Sequence, residues 1–383
     1  MLRMEVQRTL SIISVVLLFQ SCEGPKHSSE PVLIDREVID TGIDTFLEKL
    51  EKEEHFTGVV LVMRKEEVVH AKGYGMANSE RENSVTTAFH IASITKQFTA
   101  TAILQLVEQG KVDLSNSINT YLPQVYRSPN WDSVNIHHLL THTSGIPDYG
   151  ITRDYYDVVN GFCLGNTVHD MVKEAMDKDL EFRPGSRFVY SNIGYTLLGF
   201  IITNQTKTPY DKYLRTNILE PMGMMSSKIH VVGYSPTIDE AEGYRWSIEK
   251  STHVPDDVVS LPVTDPDGGL VTTLTDFTKW CGIYMGKKQA ILDQKSVDMM
   301  TSSYISIDRD GIGGEPRSYG YGLVITKDLI SHGGYIVGFR SYFVVDKKNE
   351  ILMAVFSNNT ATDPKRISSL LLKFLETSES LKQ

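Results

Sequence analysis

Short runs of β-forming residues lie near both ends of this 383-residue chain, and helical patterns fill most of the region between them. Residues 57–78 contain two such runs on either side of the polar residues 64–67, which predicts a hairpin. Further runs follow one another between residues 321 and 358 through tight links such as 347–349. Antiparallel strands from both ends can share one sheet only if the intervening chain leaves the sheet and returns. The sequence therefore predicts a mixed α/β (α+β) fold, in which both termini build an antiparallel sheet flanked by helices around an inserted, mainly helical lobe.

The helical patterns set the expected domain boundaries. Residues 36–54 and 363–376 carry apolar side chains at helical spacing. The run from Thr95 to Gln109 predicts a helix that ends at Gly110, because glycine readily takes the left-handed conformation at a helix end. We expect one domain over residues 36–383. Its predicted lobes are an α/β lobe at about 36–92 and 265–383 and a helical lobe at about 93–264.

The first 22 residues have the pattern of an export signal. Arg3 and Arg8 precede an apolar run at residues 10–19, which is too short to span a bilayer. Ser21 and Cys22 follow, as in a bacterial lipoprotein signal, where Cys22 would become the lipidated first residue; plain secretion is the alternative. We expect export across the bacterial inner membrane, with a periplasmic or outer-membrane location and a polar tether at 23–35.

Composition excludes several classes of protein. The net charge of −10 argues against a nucleic-acid partner, since such a protein needs a cationic surface to contact phosphates. Only three cysteines occur, and Cys22 belongs to the signal segment, so the chain is not a disulfide scaffold. Cys163 and Cys281 could pair or could be two buried free thiols.

A serine and a lysine stand three residues apart at the head of an apolar run, in the stretch FHIASITKQFTATAILQLVEQG. Residues i and i+3 share a helix face, so the Lys96 amine can reach the Ser93 hydroxyl and, when neutral, take its proton. At a helix start the backbone N–H of Ser93 also has no helical acceptor and could form half of an oxyanion hole. The alternative is an ordinary capping serine.

The same spacing occurs a second time, and its context differs. Ser247 and Lys250 are followed by STHVPDD, which offers no apolar helix to hold them. This context predicts a surface location for the second pair. Ser93 instead lies between a β-like segment and a helix, which favours catalysis over capping.

The sequence Tyr190-Ser191-Asn192 lies between a turn-rich segment and an apolar helix. A phenol beside a lysine ammonium can take the serine proton and later give it to a leaving group, and the Asn192 amide can bind a substrate carbonyl. The alternative is an aromatic residue near a helix start with asparagine as the cap.

His332-Gly333-Gly334 lies within a predicted strand. Glycines inside a strand usually mark the close approach of another group, here a substrate laid along the strand edge. The backbone N–H of Tyr335 would then be a second oxyanion donor. The alternative is a bulge with a solvated histidine.

The order Ser93, Tyr190 and His332 resembles the serine β-lactamase and penicillin-binding-protein superfamily, whose signature is Ser-x-x-Lys, a middle polar triplet and Lys-Thr-Gly. The chain is most similar to the class C-like branch, which includes D-alanyl-D-alanine carboxypeptidases, D-aminopeptidases and carboxylesterases. Other segments resemble the family in the expected order over most of residues 55–360. They include LLTHTSGIPDY at 139–149, PDGGLVTTLTDFTKW at 266–280 and HGGYIVGFRSYFVV from residue 332.

The resemblance implies roles for individual residues. Ser93 would be the acylated nucleophile, Lys96 the activating base and Tyr190 the proton shuttle, while Asn192 would orient the substrate. The site would lie in the cleft between the two lobes.

The resemblance also implies a substrate-binding strand. His332 would take the place of the family's strand lysine, Gly334 would leave space for the acyl chain, and Gly333 would belong to the same substrate-binding segment. The backbone amides of Ser93 and Tyr335 would hold the oxyanion.

One position departs from the family pattern. A strand lysine is permanently charged and binds substrate carboxylates, whereas His332 is mostly neutral at pH 7. Arg340 could supply the missing charge, although we expect it to form a surface ion pair. This departure argues against an efficient β-lactamase and leaves peptidase and esterase activities open.

Two function classes follow. The first is a serine hydrolase that forms an acyl-enzyme with D-amino-acid peptides, amides or esters, of carboxypeptidase, aminopeptidase or esterase type, with weak β-lactamase activity as a variant. The second is a non-catalytic sensor of cell-wall fragments or penicillin. We expect no cofactor and no metal, since the spaced pair His138 and His142 lacks the glutamate of the zinc motif. The sequence leaves the oligomeric state open.

Overall fold

The computed structural model describes residues 36–65, 67–148, 158–159, 162–163, 167–231, 236–256, 265–286, 291–307 and 316–380. The predicted signal segment, Cys22 and the tether at 23–35 lie outside the described residues, as does the side chain of Cys163. No helix in these ranges is both long and apolar enough to cross a membrane.

Both ends of the chain contribute strands to one sheet. The strands are β1 Gly58–Arg64, β2 Glu67–Tyr74, β3 Ala88–His90, β4 Val158–Val159, β5 Phe162–Cys163, β6 Lys228–Ile229, β7 Tyr244–Ser247, β8 Thr252–Pro255, β9 Leu270–Thr273, β10 Ile305–Ser306, β11 Ser318–Tyr319, β12 Val324–Ile325, β13 Leu329–Ile336, β14 Phe339–Asp346 and β15 Ile351–Ser357. Eight of them form the main sheet, in the order β10-β11-β12-β13-β14-β15-β1-β2. The antiparallel pairing of β1 with β15 joins the N-terminal hairpin to the C-terminal strands. The predicted fold class is therefore confirmed.

Helices cover the sheet and fill the middle of the chain. They are α1 Arg36–Glu54, α2 Lys96–Glu108, α3 Ile136–Leu140, α4 Val168–Met176, α5 Asn192–Thr206, α6 Tyr210–Leu214, α7 Asp265–Gly268, α8 Leu274–Cys281, α9 Gln294–Met300 and α10 Pro364–Ser380. Between residues 93 and 214 most of the regular structure is helical, and the short strands β4 and β5 are the exception among the described residues. Between 228 and 255, however, the chain forms short strands, among them the β7–β8 hairpin.

The central strands are buried on both faces, and their alternate side chains enter two different cores. Val60 and Val62 of β1 pack with the apolar stripes of α1 and α10, whereas Val59 and Leu61 face the larger core that includes α2 and α5. A strand with cover on both faces carries a continuous apolar run, as β1 does. The sheet is thus a fixed layer against which the catalytic elements can be positioned.

Cys281, at the end of α8, is buried and carries a free thiol. Complete burial raises the pKa of this thiol well above its usual value. Of the two alternatives for this residue, the buried thiol is the one observed.

Candidate active site

Ser93 lies in a short turn between β3 and α2. A 3₁₀ turn at Ala92–Thr95 leads directly into α2, and Ser93 is its second residue. Ala92 has a φ of 47°, in the left-handed region that non-glycine residues rarely adopt. Such strain persists only where the surrounding structure enforces it, often at functional sites. Ala92 and Ile94 are buried, whereas Ser93 is partly exposed, so the turn presents this side chain at the surface of the cleft.

Lys96, the first residue of α2, is fully buried and its amine contacts three oxygen atoms. Nζ lies 3.2 Å from Ser93 Oγ, 2.9 Å from Asn192 Oδ1 and 2.7 Å from the backbone oxygen of Asp267. The amide and backbone oxygens can only accept hydrogen bonds. In a neutral amine they take both N–H groups, and the remaining lone pair points at the Ser93 hydroxyl. The geometry therefore fits a base that acts on Ser93.

Tyr190 lies on the other side of the Lys96 amine. The amine is 4.9 Å from the centre of its ring. Its hydroxyl is buried and has no hydrogen-bond partner among the described residues. Burying such a hydroxyl costs free energy unless a substrate or a reacting group supplies the missing hydrogen bond. The Tyr190 hydroxyl is therefore not engaged by another group among the described residues.

Asn192 is the first residue of α5, and the cap of this helix is its neighbour. The Ser191 hydroxyl accepts a hydrogen bond from the N–H of Gly194 at 3.2 Å, so asparagine is not the capping residue. Asp148 accepts hydrogen bonds from the backbone N–H groups of Asn192 and Ile193 at 2.8 and 2.9 Å. Its second oxygen lies 3.4 Å from Asn192 Nδ2, which leaves Oδ1 turned toward the lysine.

We expect Asp148→Ala to lower both stability and turnover. Two N–H groups at the start of α5 lose their acceptor, which should cost about 1 kcal/mol of folding stability. Because the Asn192 amide is no longer held, kcat should fall about tenfold. Thr167→Ala removes a comparable cap from α4 and is the matched control, with a similar loss of stability and unchanged kcat. Equal kcat values in the two variants would exclude this role for Asp148.

His332 lies on β13 and is only 5% exposed. Its Nε2 is 3.0 Å from the Tyr319 hydroxyl, and its Nδ1 is 2.6 Å from the backbone oxygen of Gly333. Burial, together with the positive charge of Lys96, lowers the pKa of His332 to about 4. The predicted position beside the site is observed, but both ring nitrogens are engaged within the protein. A solvated histidine is excluded.

The space that a side chain of Gly334 would occupy is filled by other atoms of the protein and is not open to a ligand. A Cβ at this position would lie 2.1 Å from the backbone oxygen of Ile91 and 2.3 Å from Ser341 Oγ. A Cβ on Gly333 would meet nothing closer than 3.6 Å. The close approach predicted from the two glycines is therefore real at Gly334, and the group that approaches is the segment just before Ser93.

The second half of β13 has one open edge. β14 pairs with residues 329–336, whereas β12 pairs only with 330 and 331, so among the described strands none covers residues 332–336 on that side. The turn bond from Thr326 N–H to the Leu329 oxygen shows that odd-numbered residues of β13 direct their backbone groups away from β14. The N–H of Tyr335 thus points to the open edge, as an oxyanion donor must.

Arg340 and Ser247 were both expected at the surface, Arg340 in an ion pair and Ser247 beside Lys250. Arg340 makes no ion pair among the described residues; its guanidinium stacks on the Tyr335 ring at 4.4 Å and donates to the Thr360 oxygen at 2.8 Å. The expected surface ion pair is thus replaced by stacking.

Ser247 lies at the end of β7, where its hydroxyl accepts from the N–H of Lys250, in the exposed turn of a hairpin. The surface location predicted for this pair is confirmed.

Sequence reasoning missed four residues of the site: Asp148, His142, Tyr319 and Asp267. The ring of His142 lies 4.2 Å from that of Tyr190 and is fully enclosed, and burial lowers its pKa well below the usual value.

His138, the other histidine of the spaced pair, caps α3 by accepting a hydrogen bond from the Asn135 N–H. In the described part of the chain no cluster of His, Cys, Asp or Glu could hold a metal ion.

Together, the fold and these groups define a class. A serine at a strained turn, a buried lysine aimed at it and a phenol without a hydrogen-bond partner among the described residues, set beside an open strand edge, form a site of the kind found in serine hydrolases of the β-lactamase fold.

The chain belongs to the beta-lactamase family, whose pattern it matches over residues 43–375. Protein flp of Staphylococcus aureus (strain COL) is 30% identical over 345 residues; the match covers 86% of this chain, which spans 65% of the length of that relative. The octameric penicillin-binding protein homologue from Pyrococcus abyssi is structurally similar, with a TM-score of 0.77, 31% identity and coverage of 88% of this chain and 77% of that one. The D-amino acid amidase from Ochrobactrum anthropi SV3 has a TM-score of 0.70, 25% identity and coverage of 90% and 99%.

Proposed function

We propose that this protein hydrolyses D-amino-acid peptides, amides or esters through an acyl-enzyme on Ser93. One observation carries the proposal: the Lys96 amine is fixed by two oxygen atoms that can only accept hydrogen bonds, and its third direction points at Ser93 Oγ. A hydroxyl becomes an effective nucleophile when a neighbouring group takes its proton. This arrangement supports catalysis more strongly than a non-catalytic sensor, which has no use for an activated hydroxyl.

In the acylation step, Ser93 Oγ attacks the substrate carbonyl carbon. The hydroxyl proton passes to Lys96, directly or through the Tyr190 phenol, while the N–H groups of Ser93 and Tyr335 stabilise the oxyanion. The bond from the carbonyl carbon to the leaving nitrogen or oxygen then breaks. Tyr190 gives a proton to this leaving group and regains one from Lys96, so the serine proton departs with the product.

In the deacylation step, water attacks the ester carbon of the acyl-enzyme. Tyr190 and Lys96 take the water proton and return it to Ser93 Oγ as the ester bond breaks. The products are a carboxylic acid and the free serine. The same two groups thus act as base and then as acid in each half of the cycle.

Two features support a D-amino-acid substrate. The structural relatives include a D-amino acid amidase and penicillin-binding protein homologues. The open edge of β13 can pair with an extended peptide-like backbone next to Ser93. The side chain preference of the acyl group is best found with a substrate panel scored by kcat/KM.

The test is covalent labelling with a matched control. We expect a fluorophosphonate to add one adduct to the wild-type protein, with fluoride displaced, and peptide mass spectrometry should locate it on Ser93. Ser93→Ala should abolish the adduct and the hydrolysis of nitrophenyl esters, whereas Ser247→Ala, which removes the serine of the second Ser-x-x-Lys pair, should leave both unchanged. An unlabelled wild-type protein with no esterase activity would favour the sensor.

A further inference from the structure

Four hydrogen bonds form a continuous chain behind the proposed proton shuttle. The N–H of Ser191 lies 3.1 Å from His142 Nδ1, and His142 Nε2 lies 3.1 Å from the Tyr319 hydroxyl. This hydroxyl lies 3.0 Å from His332 Nε2, and His332 Nδ1 lies 2.6 Å from the Gly333 oxygen. The three side chains between the two backbone groups, which we call the His–Tyr–His chain, are His142, Tyr319 and His332.

The two backbone groups set the direction of the chain. An N–H can only donate, so His142 Nδ1 must accept and carries no proton. The proton of this imidazole is therefore on Nε2, and it is donated to the Tyr319 oxygen. His142 is held neutral by this arrangement, because a charged imidazole would place two hydrogens against each other at Nδ1.

The opposite end has the reverse polarity. The Gly333 oxygen can only accept, so His332 Nδ1 carries the proton. The single hydroxyl proton of Tyr319 then goes to the bare Nε2 of His332. Each of the four bonds holds one proton when both histidines are neutral, in opposite tautomers.

The surroundings favour the neutral forms. His142, Tyr319 and His332 are all at most 5% exposed. Burial disfavours a charge on either histidine, and Lys96, whenever it carries a proton, disfavours a second positive charge beside it. The neutral groups around them are the phenols of Tyr190, Tyr195 and Tyr319.

The His–Tyr–His chain also helps to position Tyr190, the proposed proton shuttle. The Tyr190 ring packs on His142 at 4.2 Å, and it lies 6.4 Å from the ring of His332 and 6.5 Å from that of Tyr319. Since the phenol makes no hydrogen bond of its own among the described residues, these ring contacts help to set its position.

We propose that the His–Tyr–His chain positions Tyr190 and keeps the strand position at 332 uncharged and closed to ligands, so that the site selects substrates whose leaving group bears no carboxylate. The inference rests on the proposed function and narrows its substrate class. A carboxylate bound next to β13 would lose water and would find no cation at position 332. Amides, esters and peptides cleaved at an internal bond carry no such penalty.

The tautomers can be measured without any activity. In a nitrogen-15 imidazole spectrum of the wild-type protein, assigned with His142→Asn and His332→Asn, we expect His332 with its proton on Nδ1 and His142 with its proton on Nε2. Both should remain neutral from pH 5 to 8. A charged His332 at pH 7, or a proton on its Nε2, would overturn the proposal even if Ser93 is acylated as expected.

The substrate preference needs a matched pair. N-acetyl-D-alanyl-D-alanine and its C-terminal amide share the scissile bond and differ only in the carboxylate. We expect kcat/KM to be higher for the amide by about tenfold or more. A preference for the free acid would overturn the proposed selection, whereas a lack of any acylation would instead remove the proposed function and leave the tautomer result standing.

Tyr319→Phe tests the positioning role. It should lower kcat about tenfold to a hundredfold with little change in KM, because Tyr190 is less well held. It should also alter the His332 imidazole signals. Tyr321→Phe is the control, since this buried phenol also pairs with an imidazole, the half-buried His137 at Nδ1 at 2.8 Å, but lies outside the His–Tyr–His chain. Equal kcat values in Tyr319→Phe and Tyr321→Phe would contradict the positioning role. If Tyr319→Phe does not fold, the histidine tautomers measured in the wild-type protein decide whether the proposed hydrogen-bond chain exists.

Discussion

Lys96→Met is expected to reduce kcat/KM for an ester or amide substrate by about 10³-fold or more. Methionine fills a similar volume but cannot take the proton of Ser93 or share hydrogen bonds with Asn192 and Asp267. The serine then has no amine within hydrogen-bond distance that could take its proton. Pre-steady-state kinetics with a nitrophenyl ester would measure the loss directly, as a slower burst.

The same variant should remain folded. Lys96 is fully buried and its Nζ lies 4.0 Å from the Asp267 carboxylate, so methionine removes an ion-pair partner and a hydrogen-bond donor from buried groups of Asp267 and Asn192. We therefore expect a folded protein with a lower midpoint of thermal unfolding by circular dichroism. Lys250→Met, in the exposed second Ser-x-x-Lys pair, should alter neither quantity. Lys96→Met with a wild-type burst would remove the lysine from the mechanism.

The sequence could predict those parts of the site that lie on short, local patterns. Ser93 and Lys96 are one helical turn apart, and the contact between them follows from that spacing alone. The hairpin at the N-terminus and the strands near the C-terminus carry β-forming residues in continuous runs, so the sheet built from both termini was predictable.

The remaining groups come together through long-range packing, which a single sequence does not encode as a pattern. Asp148 reaches the start of α5 across 44 positions, and Tyr319 joins two histidines that are 190 residues apart, His142 and His332. Asp267 contributes its backbone oxygen and, at 4.0 Å, its carboxylate to Lys96 across 171 positions. A signal was present for His142, in the HTSG segment of the family resemblance, but it does not indicate which side chain the ring would contact.

The two glycines of β13, Gly333 and Gly334, also make contacts that the sequence alone does not predict. Sequence reasoning placed both Gly333 and Gly334 in the substrate-binding segment and expected Gly334 to leave space for the acyl chain. In the structure only Gly334 is in close contact with another segment, because alternate residues of a strand point to opposite faces. The contact is with Ile91, two residues before the nucleophile, so this glycine links the position of β13 to that of Ser93.

Gly334→Ala is therefore expected to damage stability and activity together. The added Cβ would lie 2.1 Å from the backbone oxygen of Ile91, so the turn that carries Ser93 must move away from β13. Such overpacking of a buried contact should cost about 2–4 kcal/mol of folding free energy, measurable by urea unfolding. The shift of Ser93 relative to Lys96 and the Tyr335 amide should lower kcat about a hundredfold.

Gly333→Ala is the matched comparison for this prediction. Its Cβ would meet the Tyr342 ring at 3.6 Å, an ordinary van der Waals distance, so stability should change by less than about 1 kcal/mol. Any loss of activity in Gly333→Ala would then report on the open edge of β13 rather than on the turn. If both variants lose the same stability, the contact between Gly334 and Ile91 does not hold the nucleophile in place. If only Gly334→Ala does, the strand and the nucleophile turn form one rigid unit, in which the oxyanion donors at Ser93 and Tyr335 keep a fixed separation through the catalytic cycle.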